Sequence, residues 1–575
     1  MCGIIGVIGT VPDEKTFAKA RDTMAHRGPD DVGLYHNQEK GSALGHRRLS
    51  IIDLSQDGRQ PFWSADKRYA IVFNGEIYNY CELRSELEGK YNFITKTDTE
   101  VLLAAYTVGG QEALKKLNGM FAFAVWDAQE QKLFAARDRL GVKPFHYHVA
   151  DGTFSFASEI KALLALGITA QVNESAVYDY LSQGLYDHRT ETFFDGIVRL
   201  PAGHYLIWEQ GTLTITSYWD LKDVAKEPSL INLSDAKEKF LTLFADSIRL
   251  RLRSDVPAGV NLSSGLDSAA ILYFTEKFSE IPLKLFSMKM DDPDYDEATL
   301  IEQTLADSQK KRWYTSTLAP QESIALMGEV VHSQEEPFGG IPTITYHKLA
   351  QLEKKEGVTV ILEGQGGDEL LAGYRYFKPE FLLEEGPRRR SQDTTIEVKA
   401  NILDEKFSAQ HAEWVPPQPF ESVLLNAQYR DLMYTKLPRV LRFNDRLSMA
   451  SSREYRQPYL DYRLVEFCFF LSDDLKIRGD EQKFLLREAM RDIVPVEMRS
   501  RPKKTFGAIQ TPWLRGELRE WAQGILSSSS FKSRPYFNHT IVEKEVQKFF
   551  AGEGDNSFAL WQWINLELWL REFID

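Results

Sequence analysis

The chain has 575 residues; 43% are hydrophobic, 26% charged and 12% aromatic, and 69 Lys and Arg stand against 83 Asp and Glu for a formal charge of −14. This excludes a wholly disordered, collagenous or coiled-coil chain, and at roughly 150 residues per domain it leaves room for two large or several ordinary domains. The acidic balance argues against a nucleic-acid coat or a binder of anionic membranes. The three cysteines, Cys2, Cys81 and Cys468, give neither a disulfide framework nor a zinc spacing. No run approaches the ~18 apolar residues of a membrane span, and a secretory signal is lacking. A reducing, cytoplasmic compartment is the expectation.

The first 210 residues carry short apolar runs separated by turn signals. Cys2-Gly-Ile-Ile-Gly-Val-Ile8, Tyr69-Ala-Ile-Val-Phe73, Met120-Phe-Ala-Phe-Ala-Val-Trp126 and Lys132-Leu-Phe-Ala-Ala136 read as strands, and Thr99 to Val108 as a helix between them. Sheets packed together with flanking helices are predicted. A linker follows over 211–234, carrying Pro228-Ser229, and Ser234 is predicted to cap a helix on which Leu241, Phe244, Ile248 and Leu252 recur at helical spacing. From 235 onward strand-like runs alternate with helices: Gly259 to Leu262 then Ala269 to Phe278, Leu283 to Met290 then Ala298 to Ala306, and Val358 to Leu362. Such alternation predicts a doubly wound parallel sheet. Residues 380–420, with Arg388 to Arg390 and Trp414-Val-Pro-Pro-Gln-Pro419, read as a surface excursion. Phe558 to Ile574 reads as one aromatic helix used for core packing.

Two constellations carry chemistry. Cys2 follows Met1, and removal of Met1 would leave a thiol and a free α-amine on one residue. Such an amine, with a pKa near ~8, can serve as the local base. Asn74-Gly75-Glu76 reads as a turn after the strand-like Ala70 to Phe73, and a side-chain amide and a backbone N–H at such a turn can form an oxyanion hole. Arg48 and Asp98 are candidates for the carboxylate and ammonium of an amino-acid substrate. Further on, Leu262-Ser-Ser-Gly-Leu-Asp-Ser268 joins a strand to a helix, a turn that lets N–H groups and a helix N-terminus approach an anion. It lacks the Gly-Lys-Ser/Thr ending of a Walker A loop. Val360-Ile-Leu-Glu-Gly-Gln-Gly-Gly-Asp-Glu369 repeats the strand, Gly-rich turn and helix order, and Asp267 with Asp368 could hold Mg²⁺ on ATP phosphates.

The motifs Met1-Cys-Gly-Ile-Ile-Gly6, His26-Arg-Gly-Pro-Asp-Asp31, Gly45-His-Arg-Arg-Leu-Ser-Ile51, Phe73-Asn-Gly-Glu-Ile-Tyr78, Thr97-Asp-Thr-Glu100, Arg137-Asp-Arg-Leu-Gly-Val-Lys-Pro144 and Ala157-Ser-Glu-Ile-Lys-Ala162 resemble the class II glutamine amidotransferase domain. The resemblance implies a four-layer αββα sandwich of the N-terminal-nucleophile type over 1–210. It also implies that Cys2 attacks the glutamine amide, that Asn74 and Gly75 form the oxyanion hole, and that Arg48, Asn74, Gly75, Glu76 and Asp98 bind glutamine. The second half, 235–575, resembles the asparagine synthetase B synthetase domain through Ser263 to Ser268, Gly364 to Tyr374, Glu454-Tyr-Arg-Gln-Pro-Tyr-Leu-Asp461 and Lys483-Phe-Leu-Leu-Arg-Glu488. The whole is then a two-domain α/β and α+β chain, with an ATP-pyrophosphatase domain second. By that resemblance Ser263, Ser264, Gly265, Leu266, Asp267 and Ser268 bind the pyrophosphate part of ATP, Leu262, Met288, Glu363 and Gly364 contact adenosine, and Lys483 neutralises the leaving pyrophosphate.

Together these imply adenylation of a carboxylate and its amidation with ammonia carried inward from glutamine, giving AMP, pyrophosphate and glutamate. Glutamine, ATP, Mg²⁺ and a carboxylate acceptor, first of all aspartate, are the implied ligands, with neither nucleic acid nor membrane as partner; a homodimer is compatible with the resemblance. Two departures bear on the acceptor. Gln365 stands where well-studied asparagine synthetases carry Glu, and Gln cannot be a general base. Phe338-Gly-Gly-Ile-Pro342 lacks an Asp that many relatives have. Gln365 is therefore the acceptor-site candidate, and a sugar uronate of surface-polysaccharide biosynthesis is the alternative acceptor.

Overall fold

A computed structural model describes residues 2–224, 231–289, 296–385, 398–494, 496–499, 509–554 and 556–575. Met1, Pro228-Ser229 and the Arg388 to Arg390 triplet lie outside the described residues.

The strands of the first half are β1 (Gly3–Ile8), β2 (Asp31–Asn37), β3 (Ser42–Arg48), β4 (Phe62–Trp63), β5 (Tyr69–Ile77), β6 (Gly119–Asp127), β7 (Lys132–Arg137), β8 (His146–Ala150), β9 (Thr153–Ala157), β10 (Val198–Arg199), β11 (His204–Glu209) and β12 (Thr212–Ser217). They form two six-stranded antiparallel sheets in the orders β10-β8-β9-β1-β3-β2 and β12-β11-β7-β6-β5-β4. The apolar runs of β1, β5 and β6 do not alternate with polar residues because both faces of these strands are covered. Ile4 and Ile8 of β1 point into the layer between the sheets, where they meet Val72 of β5 and Trp126 of β6, whereas Ile5 and Val7 face Phe17, Ile160 and Leu163 on helices. Likewise Phe73 and Phe123 face Val101 and Leu102 of the helix Asp98–Gly109. The result is helix, sheet, sheet, helix.

The expected linker starts inside this unit: Thr212–Ser217 is an edge strand, paired with β11 from His204↔Ser217 to Glu209↔Thr212. Nearly all of β12 is exposed, so its polar alternation resembles a linker in sequence. The cap of the next helix also moves. Asn232, not Ser234, receives the N–H of Asp235 on its side-chain oxygen (3.0 Å), and the helix runs Leu233–Arg251 with Phe240, Phe244 and Ile248 buried.

The second half is built on β13 (Ala258–Asn261), β14 (Lys284–Lys289), β15 (Trp313–Thr317), β16 (Val360–Leu362) and β17 (Glu454–Arg456), in the order β15-β14-β13-β16-β17. Every pairing is parallel. Chain order reverses between β13 and β16, so the turns leaving these two strands lie side by side at the carboxyl edge, where such sheets bind ligands. Val260, Ile361 and Leu362 are fully buried, each worth about 1.5–3 kcal/mol.

The C-terminal helix Ser557–Phe573 buries Trp561, Trp563 and Trp569. Trp561 donates to the Phe338 carbonyl (3.0 Å) and Trp569 to that of Glu335 (2.8 Å), while the Trp569 ring packs edge-on against Phe193 and Phe194 of the first half. The helix is core, as its spacing predicts, and it fastens the two halves together.

Candidate functional site

At the start of β1 the buried Cys2 donates its N–H to Asn74 Oδ1 (2.9 Å). Burial pushes the thiol above its ordinary range, opposed by the Leu49 backbone and the Arg48 charge. Asn74 does not lie in a turn, as its Asn-Gly sequence suggested. It is inside β5, opposite Ala122, with Gly75 opposite Phe121. Gly75 has φ +152°, and a Cβ there would lie 2.1 Å from the Met120 carbonyl, so only glycine lets β5 and β6 approach this closely. Asn74 Nδ2 is buried without a hydrogen-bond partner among the described residues. An orphaned amide costs about 1–3 kcal/mol, and it leaves an unused donor on the residue that binds the Cys2 N–H.

A carboxyl cluster adjoins this donor. Glu76, two residues along β5, is pushed well above its ordinary range by burial and by the Glu454 and Asp98 charges, with Arg456 opposing. Asp98 opens its helix after the Thr97 cap and accepts the Ile77 N–H (3.0 Å); burial, with Glu454 adding, lifts it to about 6. Glu454 and Arg456 come from β17 of the other half. Burial would lift Glu454, but Arg456, donating to it at 2.6 Å, holds it below the usual range. Arg456 Nη2 stands 3.7 Å from Glu76 Oε2. Three buried carboxyls thus face one guanidinium, a field that a substrate ammonium would complete.

Arg48, whose charge acts on the thiol, is already engaged by backbone carbonyls. Its guanidinium donates to the carbonyls of Ser55 (2.6 Å), Ile52 (3.4 Å) and Asp53, and a Cβ at Gly58 would strike it at 2.1 Å. Here it orders the 52–58 loop. Arg27, in the His26–Asp31 motif, is fully buried. Its Nε donates to the Cys2 carbonyl (2.9 Å), and Nη1 donates to Glu159 (2.9 Å) and to Asp445 of the second half (2.8 Å).

In the second half the 263–268 turn is internally bonded. Ser263 N–H donates to Ser268 Oγ (3.1 Å), Gly265 N–H to Ser263 Oγ (3.2 Å) and Ser264 N–H to Glu297 Oε2 (3.1 Å). Glu297, which stands 33 residues away, left no signal in the sequence. Leu266 starts the helix Leu266–Phe278, while Leu262 and Met288 are buried strand-end residues. Lys483, a non-glycine residue at φ 54°, places its ammonium 2.5 Å from Asp267 Oδ2 and 2.6 Å from Asp368 Oδ1. Gly373 permits this, since a Cβ there would fall 2.1 Å from both Asp368 Oδ1 and Lys483 Cε. Two carboxylates converging on one cation fit a hard divalent ion as well as an ammonium. Among the described residues no group of three or more His, Cys, Asp or Glu side chains has metal-binding geometry.

Glu363 and Gly364 follow β16. Glu363 is buried, and Gly364 packs against Asp267, a Cβ there lying 3.2 Å from Asp267 Cβ. Gln365 is half-buried in the turn. Phe338 is buried and accepts from Trp561, and the adjacent Gly340 needs its positive φ of 113°. Among the described residues no helix is long and apolar enough to cross a membrane. All three cysteines are free.

An antiparallel two-sheet sandwich is thus joined to a parallel sheet whose strand order reverses between β13 and β16. The family described as "Glutamine amidotransferase domain" matches residues 1–219, and "Asparagine synthase" matches residues 239–571. The chain is 31% identical to asparagine synthetase [glutamine-hydrolyzing] 1 of Bacillus subtilis, covering 99% of this chain and 96% of that protein. It is 30% identical to asparagine synthetase [glutamine-hydrolyzing] 3 of the same organism (98% and 95% covered) and 26% identical to the amidase chyE of Penicillium rubens (92% and 90%). The chain belongs to the asparagine synthase family, as an ATP-dependent ligase of the glutamine-dependent amidotransferase type.

Proposed function

We propose that this chain hydrolyses glutamine at Cys2 and uses the ammonia to amidate an ATP-activated carboxylate, aspartate to asparagine, in the cytoplasm. The observation that carries the reading is the junction at Arg456, whose guanidinium faces Glu76 at 3.7 Å and whose carbonyl receives the Glu363 N–H at 3.0 Å. One residue touches both the cysteine site and the strand end of the second site.

In this reading the Cys2 thiol attacks the glutamine amide carbon, and the Asn74 amide and Gly75 N–H donate to the oxyanion. Glu76 and Asp98 hold the substrate ammonium, and Arg48 lies toward its carboxylate. Ammonia leaves and water releases glutamate. The ammonia stays neutral and nucleophilic by passing through the protein interior rather than through water. In the second site the acceptor carboxylate attacks the α-phosphorus of ATP and pyrophosphate departs. The turn 263–268 holds the phosphates once its internal bonds exchange, Leu262, Met288, Glu363 and Gly364 lie against adenosine, and Lys483 neutralises the leaving group. Mg²⁺, held by Asp267 and Asp368, would supply further charge neutralisation on the phosphates.

The test is AMP release with ATP, Mg²⁺ and glutamine, with and without aspartate, on protein whose Met1 is shown by intact mass to be removed. Aspartate-dependent AMP matched by asparagine is expected. Glutaminase activity without aspartate-dependent AMP would overturn the acceptor and favour a hexuronate, the second reading, which Gln365 supports by offering hydrogen bonds in place of charge. Size-exclusion with light scattering decides the homodimer, which we include in the proposal.

A further inference from the structure

Amide formation at an acyl-adenylate has a proton to place. When ammonia attacks the acyl carbon a C–N bond forms, and the nitrogen then carries one proton too many. A base must take it as the C–O bond to AMP breaks. Most acidic side chains around the ends of β13 and β16 are already engaged. Asp267 and Asp368 share the Lys483 ammonium, Glu297 holds the Ser264 N–H, Glu369 receives the Tyr374 hydroxyl (2.6 Å) and Glu454 is paired with Arg456. Gln365 has no basic atom to offer.

Glu363 differs from all of these. Both hydrogen bonds it accepts come from neutral amides and go to Oε1, from Asn444 Nδ2 (3.0 Å) and Gln457 Nε2 (2.8 Å). Oε2 accepts none among the described residues. Its place in the chain is between the two sites: its own N–H is on the Arg456 carbonyl, and the next residue, Gly364, packs on Asp267 of the phosphate turn. The groups facing it are Lys143 from the first half, Tyr346 and Glu353 from the helix Ile341–Lys355, and Tyr455 from β17. Burial lifts Glu363 to about 7, with Gln457, Asn444 and Lys143 opposing. Burial, with the Glu363 charge adding, also lifts Tyr346, while burial lifts Glu353 and Tyr455 well above their ordinary ranges. Lys143 is lowered by burial and stands 3.7 Å from Asp445.

We propose that Glu363 is the catalytic base of the amide-forming step, accepting on its carboxylate the proton that the attacking ammonia releases as AMP departs. The inference rests on the functional reading above and deepens its second half. It assigns to a residue at the strand end the proton transfer that Gln365 cannot perform.

The test uses the full chain and ammonium chloride as nitrogen source, so that the cysteine site plays no part. The acceptor is aspartate, or a hexuronate if that is what supports AMP release by the wild type. Glu363→Gln keeps the shape and an acceptor oxygen for both amides but removes the base. With ATP saturating for each protein, so that any loss of adenosine contact at Glu363 is read apart as a higher KM for ATP, the ratio of amide formation to acceptor-dependent ATP–pyrophosphate exchange should fall by about 10²-fold or more. The rise of amide formation with pH near neutrality should disappear in Glu363→Gln and return in Glu363→Asp with partial activity. Amide formation by Glu363→Gln within tenfold of wild type, or loss of exchange and amide together, would overturn the assignment. A wild type with no acceptor-dependent AMP at all would overturn the functional reading and this step with it.

Discussion

The surroundings of Cys2 and the 263–268 turn are finished to different degrees. Around Cys2 the site is built but electrically incomplete: the Asn74 amide is buried without a partner, and Glu76, Asp98 and Glu454 face the single guanidinium of Arg456. In the second half the corresponding groups have already found partners. The turn amides are bonded to Ser263, Ser268 and Glu297, and Asp267 and Asp368 close on Lys483. A ligand can enter the first site by adding bonds; in the second it must exchange them. Preorganisation of the first kind lowers the ordering that binding requires, while the second kind makes closure part of binding.

The contrast can be broken most strongly at Cys2. Cys2→Ala should lose glutamine-dependent amidation by about 10⁴-fold or more while ammonia-dependent amidation stays near wild type. Equal loss with both nitrogen sources would mean the halves are not separable. Next is Asp267→Asn, which should lower AMP formation by about 10³-fold with either nitrogen source and leave glutamine hydrolysis intact. Persistent AMP would remove Asp267 from the phosphate chemistry. Asn74→Ala should lower the glutaminase kcat by about 10²–10³-fold with a smaller change in KM, since the lost donor acts on the oxyanion. A KM effect alone would make Asn74 only a binding residue.

The smallest effect tests the electrical incompleteness itself. Asp98 is raised from 3.8 to about 6, so the fold binds its proton more tightly than the unfolded chain does. The stability this contributes is full below pH ~4 and is lost as pH rises through about 6, leaving a penalty of roughly 3 kcal/mol at neutral pH. Asp98→Asn keeps an oxygen for the Ile77 N–H and removes the charge. Denaturant unfolding at pH 7.5 should show it more stable than wild type by up to ~3 kcal/mol, with the gain vanishing near pH 4. Its KM for glutamine should rise about tenfold, which an unchanged KM would contradict. Stability gained where binding is lost is the trade expected of a site held in readiness for a cation.

The strands, both sheet types and the two turns that follow β13 and β16 were legible in the sequence, because burial on two faces writes itself as uninterrupted apolar runs such as Gly3–Ile8 and Val360–Leu362. Both cysteine-site partners on β5 were legible from their motif, although their strand conformation was not: Asn-Gly inside β5 reads as a turn until the close approach of Met120 is known. The exposed edge strand β12 hid as a linker for the converse reason. Least visible were residues whose meaning is purely spatial. Glu454 and Arg456 lie some 380 residues from Glu76 along the chain yet complete its field, and Glu297 reaches Ser264 across a gap without any motif. Nothing local in sequence records such meetings.

Arg27 carries one further implication, for how such proteins can be assembled. With one side chain it fastens the Cys2 carbonyl and grips Asp445 of the other half. The two halves are therefore not interchangeable cassettes. A chimera that joined this N-terminal half to a foreign partner without an acid at the 445 position would leave a fully buried guanidinium short of a counter-charge one bond away from Cys2. The nucleophile would lose its alignment before any substrate arrived, so recombination between relatives is constrained to exchange Arg27 and Asp445 together.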